Sequence, residues 1–413
     1  MRVLLISDHA DPLASPGSGF QGGQNVYVRQ LAAALAGHGC TVDVATRWEA
    51  PHLPRREQIA PGAQVIRLRA GTPGPLPRDR FGEVLTDFAE GADSLYRRSG
   101  GYDVVHSHYW YSGQVALRLA QHHKVPVVHT YHSLGAARRA ALAHIPRAAG
   151  PEPFSARDAA ERRIARRADA LVVSCPSEAH DVEHLLGAPA LRTHLVPPGT
   201  DGTALQPIPQ HAARDALGIP SGIPVILYLG RLEPRKGWQD LVDAFVRVHE
   251  RHPRARLLVV GGGTGATADD ETRPLTDLAQ EHDVRSSVDL RGSVAHDKTA
   301  LYYSAADVTA VPSHYEPFGL VAVESMACGT PVVATRVGGL AWTVGSPDVG
   351  ALVPVRDAAA LGSGLLSVLR MGRDHFHRPC LDHVAAHFTA AAWMKGILDV
   401  YRAAARERSP IDK

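Results

Sequence analysis

The 413-residue chain is poor in cysteine, in long apolar runs and in net charge. Its four cysteines, Cys40, Cys175, Cys328 and Cys380, are scattered, and none stands in a C-x-x-C spacing. Neither a zinc site nor a redox pair is therefore indicated. No apolar run reaches 18 residues, which excludes a membrane-spanning helix. Lys and Arg number 44 against 42 Asp and Glu, and a net charge of +2 removes the electrostatic case for nucleic acid. The short basic clusters Arg162-Arg163 and Arg166-Arg167 read as a solvated helix face. The opening Met1 to Ser7 is interrupted by Asp8, too soon for a secretory signal, so a cytoplasmic location is expected. Histidine is abundant, at 23 residues, yet shows no metal-ligand spacing. His106 and His108 lack a third ligand, and no metal centre is expected.

What is present is an ordinary globular composition, 45% hydrophobic and 21% charged, on a chain long enough for two cores. Strand-like runs at Val3–Ile6, Val42–Ala45, Val65–Leu68, Asp103–His106, Val125–His129, Leu171–Ser174 and Thr193–Val196 alternate with helical patterns. A second series follows at Val225–Gly230, Arg256–Gly261, Val288–Arg291, Asp307–Pro312 and Val332–Ala334. Such alternation predicts parallel sheets with crossover helices. Pro197-Pro198-Gly199 and Gln206-Pro207-Ile208-Pro209 separate the two series and read as an interdomain linker and hinge. The fold expected is α/β: two facing Rossmann-like units, residues 1–200 and 205–385, with ligands in the crevice at the strands' C-terminal ends. Residues 384–408 predict one further helix, with Phe388, Trp393, Met394, Ile397, Leu398 and Tyr401 on its apolar side.

Four segments carry chemistry. Glu316 and Glu324 flank a Pro-Phe-Gly turn that opens a helix, with Glu324 expected about two turns inside it. Free N–H groups at that helix start can hold an anion while the carboxylates hold hydroxyls. The turn Gly230 to Gly237 sends Arg231 and Lys236 into the crevice, and guanidinium and ammonium suit phosphate oxygens. Taken alone it reads as a charged turn. His132 stands just past a strand end, and Tyr109 follows another. Finally, Gly17 to Gly23 form a glycine-rich loop before a helix over Val26–Gly37. Gly17, Gly19 and Gly22, with Asp43 downstream, match a dinucleotide fingerprint loosely. A NAD-type oxidoreductase is therefore the alternative, although the glycines begin well after the strand ends at Ile6.

The whole run from Pro312-Ser313 through Glu316–Glu324, Ala327-Cys328-Gly329-Thr330-Pro331 and Gly338-Gly339 resembles the E-x7-E region of family 4 retaining glycosyltransferases. Gly230–Gly237 is similar to that family's G-R-L-x-x-x-K-G motif, and His132-Ser133-Leu134 to its H-[ST]-L segment. Gly22–Val28 and His106–Gln114 resemble the group of sucrose-phosphate synthases and the mycothiol-pathway inositol-phosphate N-acetylglucosaminyltransferase. The resemblance covers nearly the full chain and implies a GT-B fold, with residues 388–413 returning to the first domain. It implies a nucleotide-sugar donor, UDP favoured and GDP allowed, a small-molecule acceptor, and front-face displacement without a metal or other cofactor. Catalytic roles then fall on His132, Arg231, Lys236 and Glu316. Donor contacts fall on Gly22, Gly23, Phe318, Gly319, Leu320 and Glu324. Acceptor contacts fall on Asn25, Arg78, Tyr109, Ser133 and Arg157, with Glu161 four residues beyond Arg157. Arg78 stands where the mycothiol enzyme has a lysine, and Gly345-Ser346-Pro347-Asp348 replaces the usual acidic-glycine turn. Acceptor identity therefore stays open between an inositol or sugar phosphate and another cyclitol, amino sugar or thiol. A non-catalytic sugar-nucleotide-binding protein is a second alternative. No lysine marks a phosphorylase, and homodimerisation is left open.

Overall fold

The structure, a computed structural model, describes residues 1–407 except 15–21, 75, 145–153, 201, 203 and 263–267. Gly17 and Gly19 of the loose fingerprint lie outside the described residues, as does the side chain of Arg78.

Two sheets organise the chain. The first contains β1 (Arg2–Ile6), β2 (Thr41–Arg47), β3 (Arg56–Ala60), β4 (Ala63–Leu68), β5 (Val104–His108), β6 (Val127–Thr130), β7 (Ala170–Val173) and β8 (Thr193–Leu195). Their order is β3-β4-β2-β1-β5-β6-β7-β8, parallel throughout except for the β3–β4 hairpin. The second contains β9 (Val225–Leu229), β10 (Arg256–Val260), β11 (Val288–Leu290), β12 (Val308–Val311), β13 (Val332–Thr335) and β14 (Gly350–Val353). Its order is β11-β10-β9-β12-β13-β14, all parallel. Central strands carry unbroken apolar runs because helices cover both faces; Val3, Leu4, Leu5 and Ile6 are all buried. In the first sheet the strand order reverses between β1 and β5, and in the second between β9 and β12. Ligands of open α/β sheets bind at such switch points, beyond the strands' C-terminal ends. The loops that leave these four strands carry Asp8-His9, Tyr109, Arg231 and Glu316, so topology alone gathers the motifs.

Several elements differ from expectation. β3 was not anticipated, because its Arg-Glu-Gln-Ile-Ala sequence is polar and half-exposed at a sheet edge. β14 was also missed; it is four residues long and starts at a glycine. The helix after the glycine loop starts at Gly23 rather than Val26. The C-terminal segment is two helices, Arg373–His387 and Ala390–Glu407, broken at Phe388. Phe388 packs its ring on Phe318 and Trp342 of the second domain. Trp393, Met394, Ile397 and Tyr401 instead join the core of the first sheet, against Val28, Leu31 and Val128. The break is thus where the chain changes domains. The linker lies beside this crossing, with Thr200 N–H donating to the Phe388 carbonyl at 2.9 Å and bridging to Thr389. Two adjacent stretches of chain therefore connect the domains.

Candidate active site

A cavity of about 890 Å³ lies between the domains and is lined by both. From the first domain come His9, Gly22, Gly23, Asn25, Tyr109, His132 and Ser133. From the second come Arg231, Lys236, Glu316, Phe318, Gly319, Leu320 and Glu324.

Two helix N-termini meet across this cavity. The Gly23–Gly37 helix starts at Gly23, and a Cβ placed there would lie 3.5 Å from Cδ1 of Leu320. Leu320 is the first residue of the Leu320–Ala327 helix. Neither helix can satisfy its first N–H groups internally, so both turn unpaired donors and partial positive charge toward the same space. The second start is built with care for its backbone. Gly319 caps it at φ +100°, where a Cβ would also sit 2.6 Å from Leu340. Only glycine fits both demands. Beneath it, Gly339 N–H donates to the Glu316 carbonyl at 3.0 Å, and a Cβ on Gly338 would strike that carbonyl oxygen. The distant glycine pair is the support on which the Glu316 turn rests. Because the helix starts at Leu320, Glu324 sits little more than one turn inside it, not two.

The cations occupy the same cavity. Arg231 lies under the glycine turn, its Nε 3.8 Å from where a Cβ of Gly22 would be, and pairs with Glu233. Arg235 Nε pairs with the other oxygen of Glu233 at 2.6 Å. Lys236 Nζ pairs with Glu316 Oε2 at 2.6 Å. Burial alone would raise both carboxyls. The cations outweigh it, taking Glu233 down to about 2 and Glu316 below its ordinary range. Burial likewise lowers Lys236, against the pull of Glu316. Three cations against two carboxylates leave a surplus positive charge beside two helix N-termini, the electrostatics of a diphosphate site. Farther along, Glu324 accepts from Tyr303 at 2.7 Å and contacts His296 Nε2 at 3.1 Å, so its carboxylate is oriented.

The first-domain wall is built differently. The Asn25 amide is engaged in its own loop: Oδ1 accepts from Gly22 N–H at 3.0 Å and Nδ2 donates to the Asp11 carbonyl at 2.7 Å. It shapes the turn that presents Gly23, and Asn25 also lines the cavity where the acceptor contact was expected. Arg157 is 0% exposed and lies behind the wall. Its Nε donates to Glu161 at 2.7 Å, Nη2 to the Ser133 carbonyl at 2.6 Å and Nη1 to the Tyr109 hydroxyl at 3.2 Å. Arg157 thus braces Tyr109 and Ser133, two residues that do face the cavity, rather than reaching the cavity itself. Tyr109 adopts φ +76°, a costly conformation for a non-glycine residue and one characteristic of sites. His132 shares that feature at φ +59°. Its ring meets Tyr27 edge-on at 4.9 Å, and burial holds its pKa at about 3, so it is neutral.

Residues not anticipated also line the cavity: His9, whose Nδ1 contacts Asp8 at 2.8 Å, and Arg138, Glu178, Glu233 and Tyr315. The signal for His9 was its place three residues past β1, and for Glu233 its place between the cations. Tyr315 joins the domains, accepting from Leu134 N–H at 3.1 Å. Asp43, the acid of the dinucleotide fingerprint, instead accepts from Gln64 and Tyr102 within the sheet at 2.7 and 2.6 Å, so the oxidoreductase alternative loses its ribose ligand. Among the described residues no group of three His, Cys, Asp or Glu side chains could hold a metal, and no helix is long and apolar enough to cross a membrane.

Two facing Rossmann-like domains with this cleft are the GT-B architecture of glycosyltransferases. The chain belongs to that family: residues 22–199 match the glycosyl transferase 4-like domain and residues 209–378 the glycosyl transferases group 1. It is 40% identical to the D-inositol 3-phosphate glycosyltransferase of Acidothermus cellulolyticus, over 98% of this chain and 91% of that protein. Identity to the enzyme of that name from Nocardia farcinica is 39%, over 98% and 89%. Among solved structures, sucrose-phosphate synthase from Thermosynechococcus elongatus matches with a TM-score of 0.89 at 37% identity, covering 97% of this chain and 98% of that one.

Proposed function

We propose that this glycosyltransferase moves a sugar from a nucleotide diphosphate donor, UDP-sugar favoured, to an inositol phosphate or closely related sugar phosphate, with retention at the anomeric carbon. The observation that carries the reading is the convergence of Gly23 N–H, the Leu320 helix start, Arg231 and Lys236 on one cavity. A diphosphate fits that set, with its sugar lying against Glu316 and its ribose hydroxyls on Glu324. The relatives at about 40% identity support the inositol phosphate acceptor.

In the proposed reaction the bond between the anomeric carbon and the β-phosphate oxygen breaks first, leaving oxocarbenium character on the sugar. Arg231, Lys236 and the helix N–H groups take up the charge that grows on the departing phosphate. Such preorganised donors are commonly the largest catalytic contribution, about 10²–10³ in rate each. The acceptor oxygen attacks from the face the phosphate is leaving, and its proton passes to a phosphate oxygen. This route needs no enzymic nucleophile. Glu316, ionised and held by Lys236, serves as an acceptor for sugar hydroxyls. A second reading, a neutral cyclitol acceptor, is favoured by Arg157, whose charge is already matched by Glu161.

The test pairs the purified enzyme with UDP-, GDP- and ADP-sugars and with inositol phosphate or free inositol, and reads product mass and anomeric coupling. An α-linked product from an α-donor on the phosphorylated acceptor is expected. A β-linked product would overturn retention, and preference for free inositol would favour the second reading.

A further inference from the structure

The face of the first sheet behind His132 holds a row of histidines that the proposed transfer leaves unused. β5 supplies His106 and His108, two residues apart and hence on one face. Ring centroids lie 4.3 Å apart from His106 to His108 and 5.2 Å from His108 to His132. The far end is closed: His106 contacts the Tyr401 hydroxyl at 2.7 Å through Nδ1 and Thr130 Oγ1 at 2.9 Å through Nε2. The near end is His108 Nδ1 against His132 Nε2 at 3.0 Å.

Two neutral rings meeting nitrogen to nitrogen hold one proton between them, and its owner decides what His132 offers the cavity. His108 Nε2 is buried and has no hydrogen-bond partner among the described residues. With the His108 proton on Nε2, a buried N–H would be orphaned. With it on Nδ1, the N–H is used and only a lone pair is left unmatched. Orphaned buried N–H groups are the rarer case. His108 therefore donates from Nδ1, His132 Nε2 accepts, and the proton of His132 sits on Nδ1. Among the described residues that nitrogen has no partner in the protein and is not among the buried orphans, so it opens on the cavity that His132 lines. Burial drives the pKa of both rings well below the free value, so neither becomes an imidazolium at neutral pH. His132 has a backbone φ of +59°, and the Tyr27 ring packs edge-on against its ring at 4.9 Å.

We infer that His108 is a positioning residue: its Nδ1–H fixes His132 as the neutral Nδ1–H tautomer, a hydrogen-bond donor aimed into the cavity. The tautomer is independent of the reaction. That the donor meets an oxygen of the transferred sugar rests on the function proposed above.

Two measurements on the full-length protein test it. Long-range proton–nitrogen correlation spectra of enzyme labelled in its imidazole nitrogens, with signals assigned from His108→Asn and His132→Asn samples, should show the Nδ1–H form for both rings. A proton on Nε2 of either would overturn the inference. In kinetics, His108→Leu should lower kcat about tenfold at nearly unchanged donor KM. His108→Asn, whose amide nitrogen overlies Nδ1, should recover most of that loss. Equal losses in both variants would contradict the donor role. Should His108→Leu fail to fold, the wild-type spectrum decides. Absence of transfer from every nucleotide sugar, with the expected tautomers observed, would sink the proposed function and leave this inference standing.

Discussion

The two walls of the cleft hold similar polar residues in opposite ways. On the second-domain wall, Arg231, Lys236, Glu233 and Glu316 are partly exposed and line the cavity, paired with one another until a ligand arrives. On the first-domain wall, Arg157 lies behind the cavity and holds Tyr109 and Ser133 in place, while Asn25 lines the cavity with its amide bonded to its own loop. The difference separates two tasks. On the function proposed above, the second-domain wall would present its charged groups directly to a diphosphate, while the buried charge of Arg157 on the first-domain wall sets the backbone and ring that would meet the acceptor.

The largest expected effect breaks the comparison at Arg157. Arg157→Ala leaves Glu161 buried without its cation and should cost about 3–5 kcal/mol of stability, read as a drop in urea midpoint. If instead it leaves stability unchanged and raises only the acceptor KM, Arg157 belongs to the cavity and the contrast fails. Next, Arg231→Ala or Lys236→Ala should lower kcat by about 10²–10³ while circular dichroism stays native. A large loss of stability in either would make the donor wall as structural as the other.

A pH experiment sharpens the contrast further. His129 is held down to about 3, by burial first and then by His132. Below pH 6.5 the unfolded chain binds a proton at this residue that the folded chain refuses, so wild-type stability falls as pH drops from 6.5 toward 3. The penalty of His129→Asn measured at pH 7 should therefore shrink by about 1.4 kcal/mol for each pH unit below 6.5. A penalty independent of pH would mean that His129 titrates normally in the fold. The smallest effect concerns Asn25. Asn25→Ala should cost about 1 kcal/mol, typical of a lost cap, and raise the donor KM through the loosened Gly22–Gly23 turn. A rise in acceptor KM alone would make Asn25 an acceptor ligand.

The same contrast explains what could be read from the sequence. Parallel sheets were legible because buried strands such as Val3–Ile6 and Val225–Leu229 are apolar without interruption. The donor-side segments were legible because glycines, cations and carboxylates there keep a fixed local spacing around one turn and one helix start. Partnerships spanning the chain were not. Glu161, four residues beyond Arg157, was legible as a helical neighbour, but nothing local says that Tyr109 and the Ser133 carbonyl also bond to that arginine. The helix break at Phe388 carried one local signal, Thr389, whose Oγ1 accepts from Ala392 N–H at 3.2 Å and caps the last helix, while the packing of Phe388 on Phe318 and Trp342 had none. β3 escaped because an edge strand carries no apolar alternation to betray it.

Calorimetric titration of UDP into the wild-type enzyme and into the Arg231→Ala/Lys236→Ala double variant tests the diphosphate site without any acceptor. The wild type should bind one equivalent, and the double variant should bind at least a hundredfold more weakly, with affinity in the wild type falling as salt rises. Equal affinity in the two proteins would place the nucleotide elsewhere and contradict the account.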